Sequence, residues 1–155
     1  DNFSVDFEME NGVHLHSMCR QMDGCSNAIG EIIFGTKGSW NSFDHEIKDL
    51  KGNVIWKFDK AAAEAEFKQH NPYVLEHVDW VNHIRKGTMH DEATDCAISS
   101  LAGVMGREAA YKGSTITWDA ISKSDLDYMP EKLELGAMDM KAPLFQLEVP
   151  GKEQK

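Results

Sequence analysis

The sequence has few cysteines, no long apolar segment and no motif of a disulfide-rich or metal-bound scaffold. Its 155 residues include three cysteines, Cys19, Cys25 and Cys96, with no CxxC pair among them. Small disulfide frameworks and zinc modules need a denser and more regular spacing than this. We therefore expect free thiols. No apolar run approaches the roughly 20 residues of a membrane-spanning helix, so none is predicted.

The sequence also lacks an excess of positive charge. It has 26 acidic and 16 basic residues, which give a formal net charge of −10 at pH 7. Nucleic acids and anionic membrane surfaces bind proteins through basic patches. The acidic balance therefore predicts that neither nucleic acid nor a membrane is a partner.

Motifs that hold phosphates or activate a nucleophile are missing. The sequence contains no GxGxxG, GxxxxGK[ST], GxSxG or HExxH. The close glycine pairs, Gly35/Gly38 and Gly103/Gly106, do not follow a strand and open a helix as a phosphate loop does. We therefore predict no cofactor-binding residue in this chain. His14 and His16 lie two apart on one strand face, a spacing that can suit a metal, but no third ligand is near them in the sequence, so we predict no metal-binding residue.

Residues 1–58 are predicted to be rich in β-strands. Phe3, Val5 and Phe7 alternate with polar residues, which is typical of a half-buried strand. Asn11-Gly12 between two such runs is a strong hairpin signal. The predicted strands that follow are Val13 to Gln21, Ile29 to Gly35, Ser39 to Asn41, His45 to Leu50 and Val54 to Phe58.

Residues 71–113 are predicted to form two helices. Asn71 is a good N-cap and Pro72 suits the first helical position, while Lys86-Gly87 has the chemistry of a helix end. The second helix is predicted to open near Asp91 or Thr94 and to end at Lys112-Gly113. Gly103 and Gly106 lie three residues apart inside it, and each lowers the stability of the helix by up to about 1 kcal/mol relative to alanine. They predict that another backbone packs closely there.

The order of elements predicts an α+β fold with an open, mainly antiparallel β-sheet and helices packed on one face. We interpret residues 1–155 as one domain. Residues 59–70 are a linker or short helix, and 114–155 are a strand, Thr115 to Trp118, with an ordered tail. The uncovered sheet face needs a partner. We expect a homo-oligomer through that open sheet face.

One face of the predicted second strand has an unusual composition. His14, His16, Met18 and Arg20 alternate along the strand and so lie on one side of it. Arginine and methionine are enriched at protein interfaces. Three interpretations stay open, namely a ligand-facing wall, a subunit interface and an exposed surface.

Other polar residues carry weaker signals. Asp6, Glu8 and Glu10 form a stripe of carboxylates on the first strand, which we interpret as a solvated face rather than an acid/base pair. His77 and His83 lie six residues apart on the first predicted helix and do not share a face. We expect them to be packing or solvent-exposed residues.

Four segments share the pattern of a known enzyme family. They are NPYVLEHVDWVNHIRKG, GREAAYKGSTITWDAISKSDLDYMP, VDFEMENGVHLHSMCRQ and EIIFGTKGSW. Together they resemble the C-terminal domain of the Gfo/Idh/MocA family, named for glucose–fructose oxidoreductase and inositol dehydrogenase. The resemblance covers nearly the whole chain and is strongest to a subgroup from glycan-degrading bacteria. A cytoplasmic and a periplasmic location both fit it.

The resemblance implies a two-domain enzyme. In this family a Rossmann domain binds NAD or NADP, and the catalytic groups lie in EKP-type and GxxxDxxxH-type motifs. Neither motif occurs here, because Pro130-Glu131-Lys132 has the wrong order and Gly87 and Asp91 are followed by Asp95 instead of histidine. We therefore expect the catalytic residues upstream of residue 1.

The resemblance thus implies the C-terminal domain of an NAD(P)-dependent oxidoreductase acting on a sugar or polyol, inactive alone. No cofactor is expected in this chain, and NAD or NADP is implied for the full-length enzyme. His16 and Arg20 are the candidate substrate-binding residues. Two alternatives are a stand-alone binding or assembly module, and a full-length enzyme that cleaves glycosides with the help of NAD.

Overall fold

A computed structural model describes residues 2–127 together with Met129, Gly136 and Val149. Most of the predicted tail lies outside these residues. Two compact units are present, one formed by Asp1–Asp23 and Glu92–Lys155, the other by Gly24–Asp91. The elements are, in chain order, β1 (Asn2–Glu8), β2 (His14–Arg20), β3 (Ile32–Gly35), β4 (Gly38–Asn41), β5 (Glu46–Asp49), β6 (Val54–Lys57), α1 (Lys60–Phe67), α2 (Pro72–Lys86), α3 (Ala93–Lys112) and α4 (Trp118–Ser122).

The α+β class with open antiparallel sheets is confirmed. β1 and β2 form a two-stranded sheet, and β3, β4, β5 and β6 form a four-stranded sheet in sequential order. The strands thus divide between two sheets, one in each unit, where the sequence predicted a single sheet. No helix within the described ranges is long and apolar enough to cross a bilayer. All three cysteines are free, as predicted.

The first unit opens with the hairpin of β1 and β2. Gly12 has φ +73°, a left-handed conformation that glycine adopts at little cost. Its N–H donates to the Met9 carbonyl at 2.9 Å, and the Met9 N–H donates to the Val13 carbonyl at 2.9 Å. The hairpin predicted from Asn11-Gly12 is therefore confirmed.

Helix α3 packs on the apolar side of β1. The Phe3 and Tyr111 rings meet edge to face with their centroids 5.4 Å apart. A Cβ added at Gly106 would lie 2.7 Å from Cζ of Phe7, whereas one at Gly103 has no described neighbour within 4 Å. The close approach predicted for the two glycines thus occurs at Gly106 alone. Its neighbour is an aromatic ring rather than a backbone.

Helix α4 replaces part of the strand predicted over Thr115 to Trp118. The Thr117 side-chain oxygen accepts a hydrogen bond from the Ala120 N–H at 3.2 Å, and Asp119 lies in the first turn. Both features stabilise a helix start, and the strand prediction was wrong. It relied on the β-branched residues of this segment and did not consider Thr117 as an N-cap. α4 packs on α3 and buries Ile121, which is 6% exposed.

The second unit contains the four-stranded sheet, with an apolar row across one face. The register places Ile33 opposite Trp40, Trp40 opposite Ile47 and Ile47 opposite Trp56. Directly opposed residues share a face of the sheet. We call these four side chains the apolar row.

The opposite face of this sheet carries charged residues together with the apolar Ile32, Phe34 and Val54. Lys57 Nζ lies 2.9 Å from a carboxylate oxygen of Glu46, and Lys48 Nζ lies 3.0 Å from the other. Lys48 also pairs with Asp44 at 3.0 Å. The hydrogen bonds from Lys57 and Lys48 lower the pKa of Glu46. The ion pairs are therefore on the face opposite the apolar row, and that face is mixed in polarity.

Side-chain and glycine caps fix the helices of the second unit. Asp59 accepts a hydrogen bond from the Ala62 N–H at 2.9 Å, so residues 60–67 form a helix rather than a linker. Asn71 accepts from the Tyr73 N–H at 3.0 Å. Gly87, with φ +66°, ends α2. The predicted bounds of α2 are confirmed.

Candidate functional site

The predicted substrate wall lies on the hairpin, on the side away from α3. Along β1 the aromatic and aliphatic residues are half-buried and the residues between them are exposed. The register pairs the exposed residues of β1 with the predicted residues of β2. Among the described strands β2 pairs with β1 alone, so it is an edge strand there. The hairpin polar face consists of Ser4, Asp6, Glu8, His14, His16, Met18 and Arg20.

Asp6 lies between the two imidazoles of this face. Its Oδ2 is 2.8 Å from His14 Nδ1, and its Oδ1 is 3.9 Å from His16 Nδ1. On the other side of its ring, His16 Nε2 lies 3.2 Å from Ser4 Oγ. These side chains are all exposed. The hairpin thus presents a carboxylate, two imidazoles and a hydroxyl in a fixed arrangement that a polar ligand can reach.

The same contacts change the titration of His14. The hydrogen bond to Asp6 raises the pKa of His14, and the negative charges of Asp6 and Glu8 raise it further. The positive form of the ring is therefore favoured. The hairpin polar face combines negative and positive groups when His14 is protonated.

We expect the Asp6→Asn substitution to lower the pKa of His14. The folded-state pKa lies above the ordinary value of 6.5, so this pair stabilises the hairpin below pH 6.5, and its contribution is lost as pH rises through the folded-state pKa. NMR titration of the imidazole carbon-bound protons measures the shift directly. Glu10→Gln, which removes an acid in the turn beyond β1, is the control and should leave the pKa unchanged. An unaltered His14 pKa in Asp6→Asn would contradict the assignment.

The structure separates His16 from Arg20 along the strand. Both are on the hairpin polar face, with the exposed Met18 between them. Four residues of extended strand span about 13 Å between Cα atoms. A ligand that contacts both residues therefore lies across Met18. The length of an arginine side chain reduces the distance that such a ligand has to span. The structure places both predicted residues on one accessible surface and groups His16, not Arg20, around Asp6.

A second polar cluster was missed by the sequence analysis. Asp79 and His83 on α2 and His90 in the segment after it bring three potential ligand atoms within 4.8 Å of one another. The sequence analysis compared His83 with His77 and found no shared face. The informative spacing was the one from Asp79 to His83, which are four residues apart on one face of the helix. We call these residues the Asp79–His83–His90 cluster.

Comparisons with known proteins add no relative. No protein-family model, curated protein or solved structure matches the chain. The resemblance to the Gfo/Idh/MocA family therefore stays a prediction.

Proposed function

We propose that this chain supplies the substrate wall and the oligomer interface of an NAD(P)-dependent oxidoreductase that acts on a sugar or polyol. The observation that carries the proposal is the hairpin polar face, where Asp6, His14 and His16 are held together in solvent. Each carbohydrate hydroxyl both donates and accepts hydrogen bonds. A surface that mixes carboxylates, imidazoles and a guanidinium meets both requirements.

The proposal divides the reaction between this chain and a separate cofactor-binding domain. Hydride transfer is the chemistry of the nicotinamide ring, and the protein supplies binding, orientation and electrostatics. This sequence has no GxGxxG motif, so the proposal assigns the dinucleotide to a separate domain. The residues of this chain then contact the substrate without a catalytic role. His16 and Arg20 are the proposed contacts.

We expect this chain to bind myo-inositol or glucose weakly and NADH not at all. Arg20→Ala should weaken carbohydrate binding by about tenfold or more, because a hydrogen bond to a charged group contributes about 1.5–3 kcal/mol. His16→Ala should weaken it by about two- to tenfold, because a typical hydrogen bond contributes about 0.5–1.5 kcal/mol. NMR titration measures the dissociation constants. His77→Ala removes an exposed histidine of α2 and is the matched control. Equal affinities in the His16, Arg20 and His77 variants would contradict the assignment of the wall.

The proposal also assigns the apolar row as the subunit interface. Ile33 is 60% exposed and Trp56 is 49% exposed, although aromatic and aliphatic side chains of this size contribute most when buried. A second copy of the chain is the proposed occupant. With a net charge of −10, two copies repel through their acidic surfaces. Because the apolar row carries no charge, two copies can associate through it. In a twofold dimer the same surface of each copy contacts that of the other.

A further inference from the structure

The Asp79–His83–His90 cluster lies at the C-terminal end of α2, in the second unit. Gly87 ends the helix in a left-handed conformation, and three residues later the His90 ring lies beside that of His83. Their centroids are 4.6 Å apart and the rings are inclined by 35°. His83 is half-buried, whereas Asp79 and His90 are exposed. The cluster is thus accessible from one side.

The distances are close to those of a metal site. Asp79 Oδ2 is 3.9 Å from His83 Nε2 and 3.8 Å from His90 Nε2. A tetrahedral zinc ion with bonds of about 2.0–2.1 Å holds its ligand atoms about 3.3 Å apart. These two spacings exceed that value by about 0.5 Å, and all three ligand atoms lie within 4.8 Å of one another. Rotation of the side chains has to bring the three atoms together around one ion.

Thr88 orients the His83 ring for coordination. Its hydroxyl donates to the His83 backbone carbonyl at 3.4 Å, and its Oγ1 lies 2.8 Å from His83 Nδ1. In the tautomer that carries the proton on Nδ1, the His83 ring donates to Oγ1. The Nε2 lone pair of His83 then faces Asp79 and His90. Metal-binding histidines are commonly fixed by a hydrogen bond of this kind at the other ring nitrogen.

We propose that Asp79, His83 and His90 bind a divalent transition-metal ion of the zinc type. Asp79 supplies Oδ2 and each histidine supplies Nε2, which is a ligand set suited to zinc. Three protein ligands leave a fourth position for water or another ligand. The site lies on residues that the carbohydrate proposal does not use, so each proposal can fail without the other.

Titration with zinc chloride tests the site on the whole chain. We expect isothermal calorimetry to show one equivalent of zinc, with affinity at least about 100-fold lower in His83→Ala and His90→Ala, because loss of even a supporting partner typically costs 10–100-fold. Asp79→Asn keeps the size of the side chain and should also weaken binding. His77→Ala, on the same helix, should bind as the wild type does. Absence of zinc binding, or equal losses in His77→Ala and His83→Ala, would overturn the proposal.

Cobalt(II) distinguishes this cluster from the free cysteines. Coordination by nitrogen and oxygen gives visible bands without the sulfur-to-cobalt charge-transfer band of a thiolate site. We expect the former in the wild type and its loss in His83→Ala. A thiolate band that persists in His83→Ala would place the metal on cysteine and overturn the assignment.

Thr88→Val tests the proposed positioning of His83. It removes the hydroxyl at nearly constant volume, and we expect zinc affinity to fall by about 10–100-fold. The ring nitrogen shifts of His83 should also show loss of the pure Nδ1–H tautomer. Unchanged affinity and an unchanged tautomer would assign Thr88 to capping α2 alone.

Discussion

The Ile121→Ala substitution is expected to lower the free energy of unfolding of the first unit by about 2–5 kcal/mol. Ile121 lies on α4, which packs on α3, and is 6% exposed. Shortening it removes buried apolar surface and leaves a cavity that the surrounding side chains fill only in part. Because natural domains are stable by only about 5–15 kcal/mol, the change should shift the unfolding transition clearly.

Ile98→Ala is the matched control for this substitution. Ile98 lies on α3 in the same unit and is 49% exposed, so the same chemical change removes less buried surface. Alanine also has the higher helix propensity. We expect an effect below about 1 kcal/mol. Urea unfolding followed by circular dichroism measures both variants, and equal losses would contradict the assignment of Ile121 to the core.

The second large effect is expected on self-association. Ile33→Asp puts a carboxylate into the apolar row, and burying an unpaired charge costs several kcal/mol. An association through this row should therefore weaken by at least about 100-fold. Light scattering after size-exclusion chromatography should show an oligomer for the wild type and a species near 17.4 kDa for the variant.

Ile29→Asp makes the same chemical change outside the sheet. Ile29 is 95% exposed and precedes β3, so the control adds an equal charge without altering the apolar row. It should keep the wild-type mass. A monomeric wild type at high concentration, or an equal loss of association in both variants, would contradict the proposed interface.

Local chemistry explains why much of the fold was predictable. The hairpin turn at Gly12 requires a left-handed residue, and α2 has its N-cap at Asn71 and its end at Gly87. Each of these features depends on neighbours within a few residues in the chain. Such signals are present in the sequence in full. They gave the hairpin and the bounds of α2 correctly.

Features that depend on distant partners were less predictable. Alternating residues indicate a strand but do not specify which other strand it joins, so the division into two sheets could not be seen. Gly106 faces the ring of Phe7, about a hundred residues earlier in the chain. At α4 the sequence did contain a local signal, the N-cap residue Thr117. The interpretation gave more weight to the β-branched and aromatic residues of the segment and predicted a strand.

The candidate sites follow the same pattern. Period-two alternation correctly grouped His14, His16, Met18 and Arg20 on one face. The contact between Asp6 and His14 depends on the hairpin register. The Asp79–His83–His90 cluster depends on the turn at Gly87, which brings His90 back to α2. Sequence spacing alone shows only the pair on the helix.

The central claim is that the hairpin polar face binds a carbohydrate and that this chain does not bind the dinucleotide. A ¹H–¹⁵N correlation spectrum of the wild type, recorded during titration with myo-inositol and separately with NADH, tests both halves at once. The proposal predicts saturable shifts confined to β1 and β2 with the polyol and none with NADH. Shifts with NADH, or polyol shifts that avoid His16 and Arg20, would contradict it.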